Sequence, residues 1–130
     1  MKRSYSFLSL PAALVLLRVT VAGIFLAHAG VRVATGTIAR FGGFLENKGF
    51  IYGNAIVWTI TAFELIGGAL MAAGYFTRWI ATGFILMLIA GIFIIHIHEG
   101  WFNGEFGTGG CEYSVTLIAA LIVIVAAGKK

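Results

Sequence analysis

Charge is what this chain has least of. Only 11% of its 130 residues are Asp, Glu, Lys or Arg, where a soluble domain carries about 25%. Hydrophobic residues make up 60%, and the mean hydropathy is +0.99. A soluble protein of this length needs polar faces on its helices, and those faces are missing, so the chain reads as one domain whose solvent is lipid. There is one cysteine, Cys111. That excludes an intramolecular disulfide, a CxxC redox pair and a CxxCH haem attachment, so redox chemistry here requires a bound cofactor or a partner. The net charge of +4 comes without a basic patch interleaved with aromatics, which excludes nucleic acid as a partner. Lys2, Arg3, Lys129 and Lys130 sit at the two ends, where anionic lipid headgroups account for them.

What the chain does have is apolar sequence in four long runs. A hydrocarbon core of about 30 Å takes roughly 20 helical residues. The runs predict an all-α fold, a four-helix transmembrane bundle with spans at about 11–31, 55–74, 79–97 and 111–127. Pro11, the single proline, falls in a first turn, where its missing N–H costs nothing. Asn54 and Gly74 read as the N- and C-terminal caps of the second span. YFTR makes a tight hairpin to the third span, whereas 32–53 and the Gly-rich 98–110 are longer connections on the opposite side. Four spans put both termini on one side, with Lys2, Arg3, Arg78, Lys129 and Lys130 against Arg32, Arg40 and Lys48. That excess predicts cytoplasmic termini, and the expected location is a bacterial or archaeal inner membrane. Tyr52, Trp58, Trp79, Trp101 and Tyr113 fall near span ends, as interface anchors do. The N-terminus also has the pattern of a signal peptide, with Ala27-His28-Ala29 as a small-x-small site, but Arg18 splits its apolar region, so retention is expected. Gly67, Gly68, Gly83 and Gly91 are small residues of the kind that let membrane helices approach closely.

Each run contains a titratable side chain. Ionisable groups in hydrocarbon cost a few kcal/mol or more each and persist for partners or function. Arg18 lies roughly 11 Å in from the inner end of its span and Glu64 roughly 15 Å in. An extended arginine covers the difference, which predicts a structural Arg18–Glu64 ion pair. Glu64 shares a helix face with Val57, Thr61, Gly68 and Met71, and Thr61 offers it a hydrogen bond. A second layer sits near the outer surface. His28 and His96 each reach about 26 Å of height, Glu112 opens the last span, and Arg32 is one turn beyond His28. His28, Arg32, His96 and Glu112, with Cys111 beside them, are thus expected to line one pocket at the outer mouth. His98 faces nearly the opposite way from His96 on a helix, so the pair is not a ready chelate. Glu99, Glu105 and Arg40 read as solvated loop charges.

In their order along the chain, LLRVTVAGIFLAHAGVR, FELIGGALMAAGYFTRW, HIHEGWF and GGCEYS resemble the DoxX family of small membrane proteins. The matching positions are Arg18, His28 with Arg32, Glu64 with Gly67 and Gly68, Gly74 with Arg78, His96 with Gly100 and Trp101, and Gly110 with Glu112 and Tyr113. His98 departs from that pattern. The resemblance implies an integral membrane protein loosely associated with quinone-linked redox; it transfers the fold better than any activity.

Three functional expectations follow. The first is a membrane subunit of a quinone-linked oxidoreductase, incomplete as an enzyme on its own. His28, His96 and Glu112 would act as proton donors to a quinone, with Phe93 and Trp101 as apolar walls. GTGGCE lacks the final glycine and flanking strand of a dinucleotide site, so electrons must come from another subunit. The second is a non-catalytic accessory or scaffold subunit of a larger membrane redox or photosynthetic complex. The third is haem or a metal held between His28 and His96, with no covalently bound cofactor. Alternating-access transport is disfavoured by four short spans without broken helices.

Overall fold

The computed structural model describes residues 8–94 and 111–128. Their five elements are all α-helices: α1 (Leu10–Ala34), α2 (Ile38–Asn47), α3 (Gly53–Ala73), α4 (Thr77–Ile94) and α5 (Glu112–Ala127). α1, α3 and α4 are long and apolar enough to cross a membrane. α5 is as apolar but has 16 residues, about 24 Å of helix. The four-span expectation therefore holds at the level of an all-helical chain with three long apolar helices.

The helix starts reflect local chemistry. Ser9 opens α1 by accepting the Ala12 N–H at 3.3 Å, with Pro11 in the first turn as expected. α3 begins at Gly53, two residues before the predicted start, and Asn54 is not its cap. The cap residue is Tyr52, in the left-handed region at φ 61°, and the Gly53 N–H donates to Glu46 Oε2 at 3.0 Å. A carboxylate from the preceding helix thus satisfies one orphan donor at the positive end of α3. At the other end Gly74 takes φ 93° as predicted, a conformation that disfavours a Cβ. Tyr75 N–H bonds Leu70 O at 2.8 Å and Gly74 N–H bonds Met71 O at 3.1 Å, which closes the helix in a Schellman turn. α4 starts at Thr77 rather than Trp79, so the hairpin is shorter than YFTR.

The segment 32–53, read as a connection, contains α2. Its ten residues are too short and too mixed to register as an apolar run, yet they form an amphipathic helix. Ile38, Gly42 and Leu45 are buried, while Arg40, Glu46 and Asn47 are exposed.

α1 packs against α3 and α5, α3 against α4, α4 against α5, and α2 lies on α3. The main core is aromatic: Phe25 and Phe84 stack with centroids 3.9 Å apart, and Phe63 tilts onto Phe84 at 4.9 Å. Gly68 faces Leu26 and Gly83 faces Phe63. The outer surface is as apolar as the inside, with Leu16, Ile66, Leu86 and Ile122 all more than half exposed. In water that pattern is a liability; in hydrocarbon it is the normal lipid-facing surface.

α2 and α3 approach closely. A Cβ on Gly53 would collide with the Gly42 carbonyl, and one on Gly42 would collide with Asn54. Two glycines in register let the backbones touch. Gly53→Ala is therefore expected to cost about 1–3 kcal/mol by overpacking. Thermal unfolding in detergent should show it, whereas Gly43→Ala, which meets open space, should leave the midpoint unchanged.

Candidate functional site

A short ion pair lies between α1 and α3. Arg32 Nη1 donates to Glu64 Oε1 at 2.6 Å and to Thr61 Oγ1 at 2.9 Å. The Glu64 side chain is 4% exposed and that of Arg32 15%. Thr61 and Glu64 are three residues apart, so one helix face presents both to the same guanidinium. That face is the one expected, since Val57, Thr61, Glu64, Gly68 and Met71 are all buried. Thr61 serves Arg32 as an acceptor rather than Glu64 as a donor. Phe41 of α2 lies 5.6 Å from Arg32 Cζ, within cation–π range. The turn after α1 fixes the backbone of Arg32, whose carbonyl accepts the Thr37 N–H at 3.1 Å.

The expected Arg18–Glu64 pair is thus replaced by Arg32–Glu64. Side-chain direction is the reason. Every Cα–Cβ bond in a helix tilts toward the N-terminus, so long side chains reach back over the preceding turn. On α1 this carries Arg32 back toward the middle of the helix and Arg18 toward its N-terminal end. Glu64 on the oppositely running α3 leans toward the C-terminal end of α1, and so toward Arg32. Arg18 instead donates to the carbonyl of Ala72 at 3.4 Å and lies beside Gly74. Depth counted from Cα positions brought the wrong arginine to the carboxylate.

A cavity of about 290 Å³ opens on the pair, between α2, α3 and α4. Arg32 and Glu64 are its charged lining; Phe41, Phe50, Ile60 and Met87 are among its apolar walls. Of the residues expected to share one pocket, the structure describes Arg32, His28 and Glu112. Arg32 reaches this cavity, while His28 Nε2 hydrogen-bonds Tyr113 Oη at 3.1 Å, joining α1 to the first turn of α5. Both are near enough to Glu64 to interact with it electrostatically. Glu112 is half-buried in the first turn of α5, where the helix dipole favours a carboxylate. Cys111 is a half-buried free thiol just before it. Phe93 is 66% exposed and does not line the cavity. His96, His98 and Trp101 lie outside the described residues. Among the described residues no three His, Cys, Asp or Glu side chains converge as metal ligands.

Sequence reasoning missed Tyr113 as a site residue. Its spacing of one after Glu112 held the signal, because the first turn of α5 presents both near the α1 end that carries His28. It also missed Phe41, because α2 itself was not recognised.

Removing one member of a buried pair leaves an uncompensated charge, at about 3–5 kcal/mol. Arg32→Met is thus expected to lower the unfolding midpoint in detergent sharply. The double variant Arg32→Met/Glu64→Met should recover most of the loss. If the double variant is as unstable as the sum of the singles, the pair is not coupled.

The DoxX family profile matches residues 13–97, which take in α1 from its first turn onward, all of α2 to α4 and both members of the ion pair. No curated protein and no solved structure matches the chain. The match covers more than half of the sequence, and the three long apolar helices agree with it. The chain belongs to the DoxX family and is an integral membrane protein.

Proposed function

We propose that this protein is a small membrane subunit of a quinone-linked oxidoreductase system, and that the cavity beside Arg32 and Glu64 is its quinone-ring slot. The observation that carries this reading is an apolar, aromatic-walled cavity with one cation and one carboxylate at a single end. A quinone head needs an apolar slot for its ring and a donor at a carbonyl oxygen. Arg32 has five N–H donors and directs those of Nη1 to Glu64 and Thr61, so the same guanidinium has donors left to offer a ligand oxygen. Glu64 is the adjacent group able to hold and deliver a proton, and the His28–Tyr113 pair provides titratable groups behind it. At about 290 Å³ the space suits a ring, leaving an isoprenoid tail to run into lipid.

Reduction of a quinone to a quinol takes two electrons and two protons. The electrons come from a partner redox subunit, because the chain has neither a dinucleotide motif nor a cysteine pair. In this reading α5 is the fourth span of a four-helix bundle in an inner membrane. Both termini are then cytoplasmic, and α2 lies along the opposite interface with its polar face in water.

Binding of a short-tailed benzoquinone and a short-tailed naphthoquinone to the purified protein tests the slot. Ala90→Leu narrows the cavity without touching the ion pair and is expected to weaken binding at least tenfold. Equal affinity in wild type and variant removes the slot. An absorption spectrum of the same preparation reads out haem at His28 and His96 directly.

A second reading, an accessory subunit without its own ligand, has one observation in its favour. Gly23 and Gly30 meet nothing within 4 Å, and Ala27 between them is exposed, which leaves a shallow outward groove on α1. Small residues so spaced accept a neighbouring helix. Gly23→Leu should then disrupt co-purification with a larger membrane complex while leaving quinone binding intact.

A further inference from the structure

At the other end of the molecule a second arginine faces a larger opening. A cleft of about 550 Å³ lies where the N-terminal half of α1, the α3–α4 turn and the C-terminus of α5 meet, and it is lined by Leu14, Val15, Arg18, Thr77 and Ile124 among others. Among the described residues the buried Arg18 Nε has no hydrogen-bond partner, and the guanidinium's bond to Ala72 O is long at 3.4 Å. A guanidinium with an orphaned buried donor calls for an acceptor. None of the cleft's lining residues is acidic.

The charge pattern of the sequence points the same way. The described segments 8–18, 74–82 and 121–128, which adjoin this end, hold Arg18 and Arg78 and no acidic residue, and in the sequence Lys2 and Arg3 precede the first of them while Lys129 and Lys130 follow the last. The stem of Arg78 passes close to Gly128 on the rim. α4 begins at Thr77, so the positive end of a helix also borders the cleft. The remaining lining is apolar, and Val15 is 45% exposed toward the lipid. A soluble anion has no use for such walls, whereas an acyl chain does.

We infer that this cleft binds an anionic phospholipid, with the headgroup phosphate accepting from Arg18 and an acyl chain lying along Leu14, Val15 and Ile124. The site is independent of the quinone reading, since it shares no residue with the Arg32–Glu64 cavity. A lipid held there bridges α1, the α3–α4 hairpin and α5, and so ties together the end of the molecule that lacks an ion pair among its described residues.

Native mass spectrometry of the purified full chain, supplied in turn with phosphatidylglycerol, phosphatidylcholine and inorganic phosphate, tests this. The expected result is retention of phosphatidylglycerol at least tenfold above phosphatidylcholine, lost in Arg18→Met and largely kept in Arg18→Lys. Val15→Trp, at a half-exposed position that fills the cleft, should also lose the lipid with Arg18 intact. It carries the test alone if Arg18→Met does not fold. Equal retention of the two lipids, or undiminished retention in Val15→Trp, overturns the proposal. Saturation by inorganic phosphate with no lipid preference overturns it equally, because the site then takes free anions.

Discussion

A guanidinium and a carboxylate 2.6 Å apart between two membrane helices constrain everything around them. Neither charge is stable alone in hydrocarbon, and their attraction offsets the desolvation only when geometry and additional hydrogen bonds are right. Thr61 supplies one of those bonds and Phe41 covers the guanidinium from α2. The pair therefore fixes the rotation of α3 about its axis, the register of α3 against α1, and the docking of α2 over both. A slip of one residue along α3 would turn Glu64 about 100° away and expose it to lipid.

Close packing makes that arrangement attainable. Gly42 and Gly53 bring α2 into backbone contact with α3, which is what carries Phe41 to Arg32. Glu46, from the same short helix, then satisfies the amide that opens α3. One ten-residue element thus contributes an aromatic cover, a helix cap and a cavity wall. The aromatic core of Phe25, Phe63 and Phe84 lies away from this polar layer and holds α1, α3 and α4 by dispersion and burial.

The two arginines of α1 divide the molecule by polarity. They are separated by 14 positions in the sequence, about 21 Å along the helix. Arg32 is neutralised by an internal carboxylate and looks into a cavity. Among the described residues Arg18 bonds a backbone carbonyl, and it looks into a cleft open to lipid. One helix thereby presents two chemically different sites, a paired charge at one end and an unsatisfied one at the other.

The sequence by itself determined the class of the protein and the location of its long apolar helices. Apolar runs of bilayer length, Pro11 in a first turn and Gly74 at a helix end are local facts, written in residues close together, and the structure repeats them. The buried face of α3 was legible too, because a period of 3.6 residues places Val57, Thr61, Glu64, Gly68 and Met71 together. α2 was not legible as a helix, since its stability comes from lying on α3 rather than from its own composition. The choice of arginine for Glu64 was decided only by tertiary structure. Axial depth counted along the spans favoured Arg18 and set Arg32 in a separate outer layer. The direction in which side chains lean on antiparallel helices brings one toward the carboxylate and carries the other away, and that direction becomes decisive only when the helices are packed.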